Sequence, residues 1–501
     1  MRAFDKVCAA VGFVVAAGLA SSGVATAQTI FSHVTPSPAR VWNVFGPAVP
    51  ATPSPKQVPP VEKTARRSFL IPALEIVGFD ALLNRVDYYF DDKVVYAVSL
   101  SSIRKNATGR WYADTDPFAV NQFYHPYQGS LYFTFARSAG HNYWASAGFT
   151  LVGSLIWEVA GETGPPSYND QITTGIGGTF LGESLFRAAS LLLERATGKP
   201  GLWRRLGAAV ISPATGFNRL VFGDRFDGVF VSHNPAVYAR VRLGASFSDR
   251  VSQTGVAQTM TRKEALLDFH VAYGLPGVPG YRYTRPFDYF DLQFTAVNRN
   301  VFENIMSRGL LLGTSYSMGT ACRGAWGLYG TYDYISPQIF RVSSTAFALG
   351  TTGEWRFSRW LVLQGTTLGG IGYGAAGTTR SGSVDRDYHY GATPQALLAL
   401  RLLFRQVGNI DMTVRGYRVS GTASTERLGS ERILRGDFSL TVRVSGHHTF
   451  TVKYVASRRD ATYPDLPDRH QTIGTVSVLY GLISDLRFGA VDWLRTHASG
   501  R

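Results

Sequence analysis

The chain has 501 residues, 45% of them hydrophobic and only 17% charged, with 53 glycines, 25 tyrosines and 31 phenylalanines. That length calls for more than one structural unit, and ordinary hydrophobicity with low charge excludes a disordered chain. The formal net charge of +15 would suit nucleic acid, but the export signal at the start argues for no nucleic-acid partner.

Residues 1–27 have the layout of a signal peptide. Arg2 and Lys6 supply a basic start, Val7 to Leu19 an apolar core too short to span a bilayer comfortably, and Ala25-Thr26-Ala27 a small-residue cleavage site. Cys8 lies inside this signal without a lipobox around it, so cleavage would leave Cys322 alone and no internal disulfide. Residues 28–66 form a linker: eight prolines fall between Pro36 and Pro60, and proline fixes φ and removes a donor, which favours an extended, poorly packed tether.

Residues 67–228 carry a helical pattern. Pro126 suits the first turn of a helix running to about Ser138, with His125 at its cap and Leu131 and Phe135 at i, i+4 spacing. A second apolar segment spans Tyr143 to Glu162 and ends on Glu158 and Glu162, four residues apart on one face. Pro165-Pro166 breaks it. Ser167 then caps a third helix, with Asp170 at the N3 position. Gly178 and Gly182 form a small-xxx-small pair that admits a second backbone, followed by Glu183 and Arg187.

Residues 229–501 change to a period of two. Val237, Ala239, Val241, Leu243, Ala245 and Phe247 alternate with Tyr238, Arg240, Arg242, Gly244 and Ser246. Similar alternation sets Leu267 and Phe269 against Asp268 and His270, Met412 against Asp411, and Phe438 to Val444 against Ser439, Thr441 and Arg443. Twelve strands are expected, starting near residues 237, 265, 288, 308, 324, 343, 360, 390, 409, 433, 448 and 472. Long strands with one apolar and one charged face in an exported chain fit an outer-membrane barrel better than a soluble sandwich. Tyr281, Tyr283, Trp355, Trp360, Tyr388 and Tyr390 near strand ends fit an interfacial girdle. The last strand ends near Ile483 rather than at the chain end, so the tail from Ser484 holds a short extra element or the insertion signal is internal. The fold class is therefore α+β, mainly β: an N-terminal helical segment followed by a C-terminal antiparallel outer-membrane β-barrel of about 12 strands.

A set of ordered motifs runs through the helical segment: Trp111-x-x-Asp114-x-Asp116-x-Phe118, Asn121-Gln122-Phe123-x-His125-Pro126, Ala136-Arg137-Ser138-x-Gly140, Trp157-Glu158, Gly161-Glu162-Thr163, Pro166-Ser167-x-Asn169-Asp170, Gly182-Glu183 and Pro213-x-x-Gly216-Phe217-Asn218. On these residues the stretch from Trp111 to Asn218 resembles an uncharacterised bacterial envelope family, domain of unknown function 3943. The resemblance implies an exported protein with a C-terminal barrel and attaches no activity.

His125, Glu158, Glu162 and Asp170 are candidate catalytic groups, because ionisable side chains among apolar helices often mark a site. Asp114, Asp116 and His125 are candidate metal ligands. Arg137, Ser167, Asn169 and Glu183 have structural readings, with Arg137 expected to neutralise Glu158 or Glu162. His125 is expected within a hydrogen bond, or one bridging water, of a carboxylate from Asp114, Asp116, Glu158, Glu162 or Asp170. No H-E-x-x-H pair and no G-x-S-x-G elbow is present, no cofactor-binding residues are singled out, and whether a cofactor is used and whether the chain is an enzyme stay open. From Val229 onward 28 Arg and two Lys face 19 Asp plus Glu; Arg240, Arg242, Arg415 and Arg443 on inward faces would admit anionic solutes, or pair with lumenal carboxylates to stiffen the barrel.

Two functions follow. The first is an outer-membrane barrel of a Gram-negative bacterium, with a helical plug or periplasmic domain, serving envelope structure, assembly or gated transport. The second is a hydrolase acting on envelope lipid or lipopolysaccharide with His125 and nearby carboxylates. Expected partners are outer-membrane lipids, lipopolysaccharide phosphates and the barrel-assembly machinery.

Overall fold

The computed structural model describes residues 67–491 apart from 115, 195–199, 224–225, 227–234, 254–261, 338, 379–387, 422–428 and 464–467. The expected signal, 1–27, and linker, 28–66, lie outside the described residues. The chain divides into two units between Ser232 and His233.

The first unit is helical. Helix α1 (Leu70–Phe90) buries Ile76, Asp80, Leu83, Asn84 and Asp87, a stripe at helical spacing that mixes apolar and polar groups. Helix α2 (Leu100–Thr108) starts on a reciprocal capping box between Ser99 and Ser102. A π-helical turn, Val120–Tyr124, runs directly into α3 (His125–Ser138). Asn142 caps α4 (Tyr143–Ala160), and Ser167 caps α5 (Tyr168–Ile172). A second π-helical turn, Thr173–Gly177, leads from α5 into α6 (Gly178–Leu193). Helices α7 (Leu202–Ile211) and α8 (Pro213–Val221) complete the unit.

Helices α3 and α6 form its centre, with most of their residues buried. Glycine makes their crossing possible. A Cβ on Gly129 would lie 1.9 Å from the carbonyl oxygen of Thr174, and one on Gly178 would lie 2.7 Å from Gly129 Cα, so the two backbones touch. Gly182, the other half of the expected small-residue pair, lies against Phe133. Among the described residues no helix is long and apolar enough to cross a membrane.

The second unit is a closed antiparallel barrel of twelve strands in which each strand pairs with its chain neighbours and β1 closes onto β12. The strands are β1 (Val237–Gln253), β2 (Arg262–Tyr273), β3 (Phe290–Val297), β4 (Asn300–Met318), β5 (Cys322–Ile335), β6 (Phe340–Arg356), β7 (Leu361–Thr378), β8 (Tyr388–Phe404), β9 (Gly408–Ser420), β10 (Ser430–Ser445), β11 (His448–Thr462) and β12 (Arg469–Ile483). The largest departure from the expected starts is β4, which begins at Asn300 instead of near residue 308. Its first half does not read as apolar against polar, because Met306 joins a lumenal apolar cluster, and a register shift between Leu310 and Leu312 then displaces the pattern.

The pleat sorts side chains as a lipid solvent demands. Leu434, Phe438, Leu440, Val442, Phe450, Val452, Tyr454, Val476, Val478 and Tyr480 are exposed on the outside, while Arg435, Ser439, Thr441, Thr449, Thr451 and Ser477 are buried inside. A soluble sandwich buries its apolar face; this barrel shows it. Exposed Trp360 and Phe357 stand at one rim, where Arg359 and Arg405 lie over the Trp360 ring, as an aromatic girdle does. Tyr281, Tyr283 and Tyr390 do not belong to that girdle. Tyr281 and Tyr283 donate to the carbonyls of Asp288 and Gly274 and fix the β2–β3 connection, and Tyr390 is buried and stacked on Tyr373.

Four connections at one end are tight turns: 319–321, 357–360, 405–407 and 446–447. The fifth, residues 274–289, is longer, and its Leu275 and Tyr289 pack with Tyr238, Tyr329, Phe488 and Val491 in one cluster. Phe488 and Val491 belong to the chain after β12. This strap, Ser484–Val491, turns inward on a positive φ at Phe488 (57°) and Gly489 (87°), so the tail past Ile483 is an added element of the barrel.

Candidate functional site

The helical unit gathers most of the sequence-predicted polar residues into one network. Tyr112 and the segment from Pro166 to Tyr168 exchange two backbone hydrogen bonds, Tyr112 N to Pro166 O and Tyr168 N to Tyr112 O, both 3.1 Å. This bridge brings Asp114 beside Asn169, whose Oδ1 accepts from Asp114 N at 2.7 Å and from Ser167 Oγ at 2.7 Å. Asp114 Oδ2 accepts from Asn121 Nδ2 (3.0 Å) and from Asp116 N (3.2 Å). Ser167 Oγ caps α5 by accepting from Asp170 N, while Ser167 N donates to Glu158 Oε2 at 2.7 Å. Glu158 thus takes the second arm of the capping box. Asn169 Nδ2 completes the circuit to Asp170 Oδ1 at 3.0 Å.

His125 joins through the two π-helical turns. The first shifts the register so that His125 lies inside a continuous helix, preceded by Phe118 to Tyr124, and not at a helix start. A wider turn there also tolerates Pro126, which has no N–H to give. The second turn aims Thr174 at it: His125 Nδ1 and Thr174 Oγ1 are 3.2 Å apart, and His125 Nε2 lies 4.0 Å from Asp170 Oδ1. Burial pushes the imidazole down to about 4, against the pull of the Asp114 charge. Burial also pushes Glu158 up to about 8, against the Ser167 N–H, and raises Asp170, where the Asp114 and Glu158 charges add to it. Glu162 lies past the end of α4 and is half-buried; burial and the charges of Glu158, Asp116 and Asp114 raise it too.

At neutral pH burial therefore favours the neutral imidazole of His125 and the protonated form of Glu158. Thr174, His125 and Asp170 have the order of a nucleophile, base and orienting acid, but they are 1%, 5% and 3% exposed, and 4.0 Å is too long for a hydrogen bond. Among the described residues no group of three His, Cys, Asp or Glu side chains is placed to hold a metal ion, so Asp114, Asp116 and His125 do not form a ligand set there.

Arg137 does not pair with Glu158 or Glu162. Its Nε and Nη2 donate to Glu183 at 2.8 and 3.1 Å, and Arg187 Nε donates to the same carboxylate at 2.7 Å. The face of α3 that carries Arg137 is turned to α6, where Glu183 is fully buried.

The barrel lumen holds the larger charged assembly. Asp411 receives Arg240 (2.5 Å) and Arg401 (2.6 Å). Asp268 receives Arg242 (2.8 Å) and Lys453 (3.3 Å), and Lys453 also reaches Asp437 (3.7 Å). Asp291 receives His270 (2.6 Å) and Arg308 (3.2 Å). These groups line an open cavity in the lumen. Arg240, Arg242 and Arg415 are inward as the alternation implies, whereas Arg443 sits at the tight-turn rim and donates to Gln406 O. Below the cavity the far part of the strap is held by three polar contacts: Val491 N to Glu354 Oε2 (3.2 Å), Arg356 Nη2 to Val491 O (2.7 Å) and Gln364 Nε2 to Gly489 O (2.8 Å). Glu354, Arg356 and Gln364 went unnoticed in the sequence, although Glu354 is the one acidic residue of β6 and shares a face with Arg356 two residues on, which is the signal that could have found them.

Residues 110–214 match the model of Domain of unknown function (DUF3943). This is the family that the motifs resemble, and the match falls within the helical unit. No curated protein matches the chain. Among solved structures, the chain is similar to the TodX monoaromatic hydrocarbon channel deltaS2 mutant, at 9% identity over 56% of this chain and 94% of that one, with a TM-score of 0.23. It is similar to the Pseudomonas putida toluene transporter TodX at 8% identity, 50% and 89% coverage and a TM-score of 0.20. The anion-selective porin from Comamonas acidovorans gives 7% identity, 49% and 99% coverage and a TM-score of 0.19.

Proposed function

We propose that the protein is an outer-membrane barrel whose passage is closed at rest by its own C-terminal strap and opens to small anionic solutes. The observation that carries this reading is the sorting of the pleat: apolar residues outside, a cross-paired basic and acidic lattice inside. Tight turns mark the periplasmic end of such barrels, so the strap and the 274–289 connection would seal the periplasmic mouth. The strap is suited to move. Its start is tied to β1 by two hydrogen bonds between Ser484 and Ala239, and beyond them its polar contacts to the barrel wall are those to Glu354, Arg356 and Gln364. Five cationic side chains, Arg240, Arg242, Arg308, Arg401 and Lys453, line the cavity with four aspartates, Asp268, Asp291, Asp411 and Asp437, a small positive excess that favours anions over cations. The helical network then serves as the interior of a folded scaffold and not as a reaction centre.

Liposome swelling tests the reading. Proteoliposomes with the intact chain should swell slowly, and those with Glu354→Ala/Gln364→Ala should swell fast, faster in a small carboxylate than in an ammonium solute of equal size. Rapid swelling of the intact chain, or no response to releasing the strap, would overturn it.

A further inference from the structure

Helices α7 and α8 are amphipathic the wrong way round for a protein surface. Their buried residues are small or polar: Ala208 on α7, and Ala214, Thr215 and Asn218 on α8. Their exposed residues are large and apolar: Trp203 (82%), Leu220 (77%) and Leu202 (65%), with Leu206, Val210, Phe217 and Val221 about half exposed. A helix pair that folds against water alone does the reverse, and contiguous exposed apolar area marks a surface that is covered in use.

The pair is firmly set on its inner side. A Cβ on Gly216 would lie 2.4 Å from Ala209 Cβ, so α7 and α8 are in close contact. Asn218 Nδ2 donates to Phe135 O and to Ser138 Oγ on α3, at 3.2 and 2.7 Å. Arg204 Nη1 donates to Glu194 O at the end of α6. The outward apolar face is therefore a fixed property of the fold.

Charge says what covers it. Residues 200–223 contain Arg204, Arg205 and Arg219 and no Asp or Glu. Trp, Leu and Phe on one side, with only arginine as charge, is the composition of a helix that lies in a lipid interface beside anionic headgroups. Neither helix could span a bilayer, at 10 and 9 residues. We propose that the α7–α8 hairpin is a monotopic anchor: Trp203, Leu206, Val210, Phe217 and Leu220 enter the acyl boundary of an anionic phospholipid leaflet, and Arg205 holds the headgroup phosphates. This inference does not depend on the strap acting as a gate.

The test uses the full chain in a Cys8→Ala/Cys322→Ala background, reconstituted into phosphatidylglycerol/phosphatidylcholine vesicles, with an environment-sensitive nitrobenzoxadiazole dye on Trp203→Cys, Leu220→Cys or, as control, exposed Thr108→Cys on α2. Heat-modifiable gel migration reports that the barrel has assembled. Dye at 203 and 220 should emit to the blue of dye at 108 and lose emission to doxyl-labelled lipid, and Arg205→Glu or vesicles of phosphatidylcholine alone should reduce that loss. Water-like emission at 203 and 220 would overturn the proposal. So would blue emission that doxyl lipid does not quench, because protein and not lipid would then cover the face. Equal quenching in neutral vesicles would overturn the choice of anionic lipid.

Discussion

The helical unit and the barrel both bury ionisable groups, but they neutralise their interiors differently. In the lumen each of Asp268, Asp291 and Asp411 meets two basic side chains. In the helices Asp80, Glu158 and Asp170 have hydroxyl, amide and backbone partners and no cation, and burial raises all three toward the protonated form. Glu183 is the exception, an acidic centre between Arg137 and Arg187. The difference teaches that redundancy lies in the barrel and not in the helices. A lumenal ion pair has neighbours to share a loss; Glu183 has no stand-in in the contacts it makes.

The largest effect should follow from Glu183→Gln. Two buried guanidiniums would lose their shared carboxylate, at a cost of about 3–5 kcal/mol, and hydrogen exchange should show α3 and α6 unprotected while the barrel keeps its heat-modifiable migration. Protection left intact in α6 would break the comparison. Asp411→Asn removes a carboxylate shared by Arg240 and Arg401, yet the cost should stay at or below about 1.5–3 kcal/mol, read from the melting of the barrel, because the lattice and the open cavity relax around the change. Gly178→Ala places a methyl against the Gly129 backbone and should destabilise the helices by about 1–3 kcal/mol. By contrast, Gly436→Ala on β10 meets nothing within 4 Å and should be silent.

A further effect sharpens the contrast through pH. The Glu158 carboxyl rises from 4.5 to about 8 on folding, so its contribution is complete below about pH 4.5 and is lost as pH rises through about 8. His125 falls from 6.5 to about 4, so its contribution is present above about pH 6.5 and is lost as pH falls through about 4. Between pH 6.5 and 8 the raised carboxyls act together, Glu158 and Asp80 both at about 8. Protection of α3–α6 should weaken there, and Glu158→Gln should lessen the slope by about 1 kcal/mol per pH unit without abolishing it. A slope unchanged in the Gln variant would show that Glu158 is not among the titrating groups.

The barrel was legible because a strand repeats its environment every second residue. Val237 to Phe247 already separates lipid from lumen, and most strand starts fall within three residues of their expected positions. What failed there were places where the period breaks: β4 with lumenal Met306 and a register shift, and tyrosines near strand ends that serve the β2–β3 connection or the lumen. In the helical unit the caps at Ser167 and the close approach at Gly178 were readable because local chemistry sets them. The partner of Arg137 was not, since it depends on how α3 turns against α6, and neither was the position of His125 within its helix, since two π-helical turns reset the register without a residue that announces them. The strap was visible only as chain left over after Ile483.

Single-channel recording in a planar bilayer addresses the closed passage most directly. The intact chain should show a closed baseline with brief openings, and Glu354→Ala/Gln364→Ala should show a steady open level with chloride preferred over potassium. A steady open level of equal size in both proteins would contradict the strap as the gate.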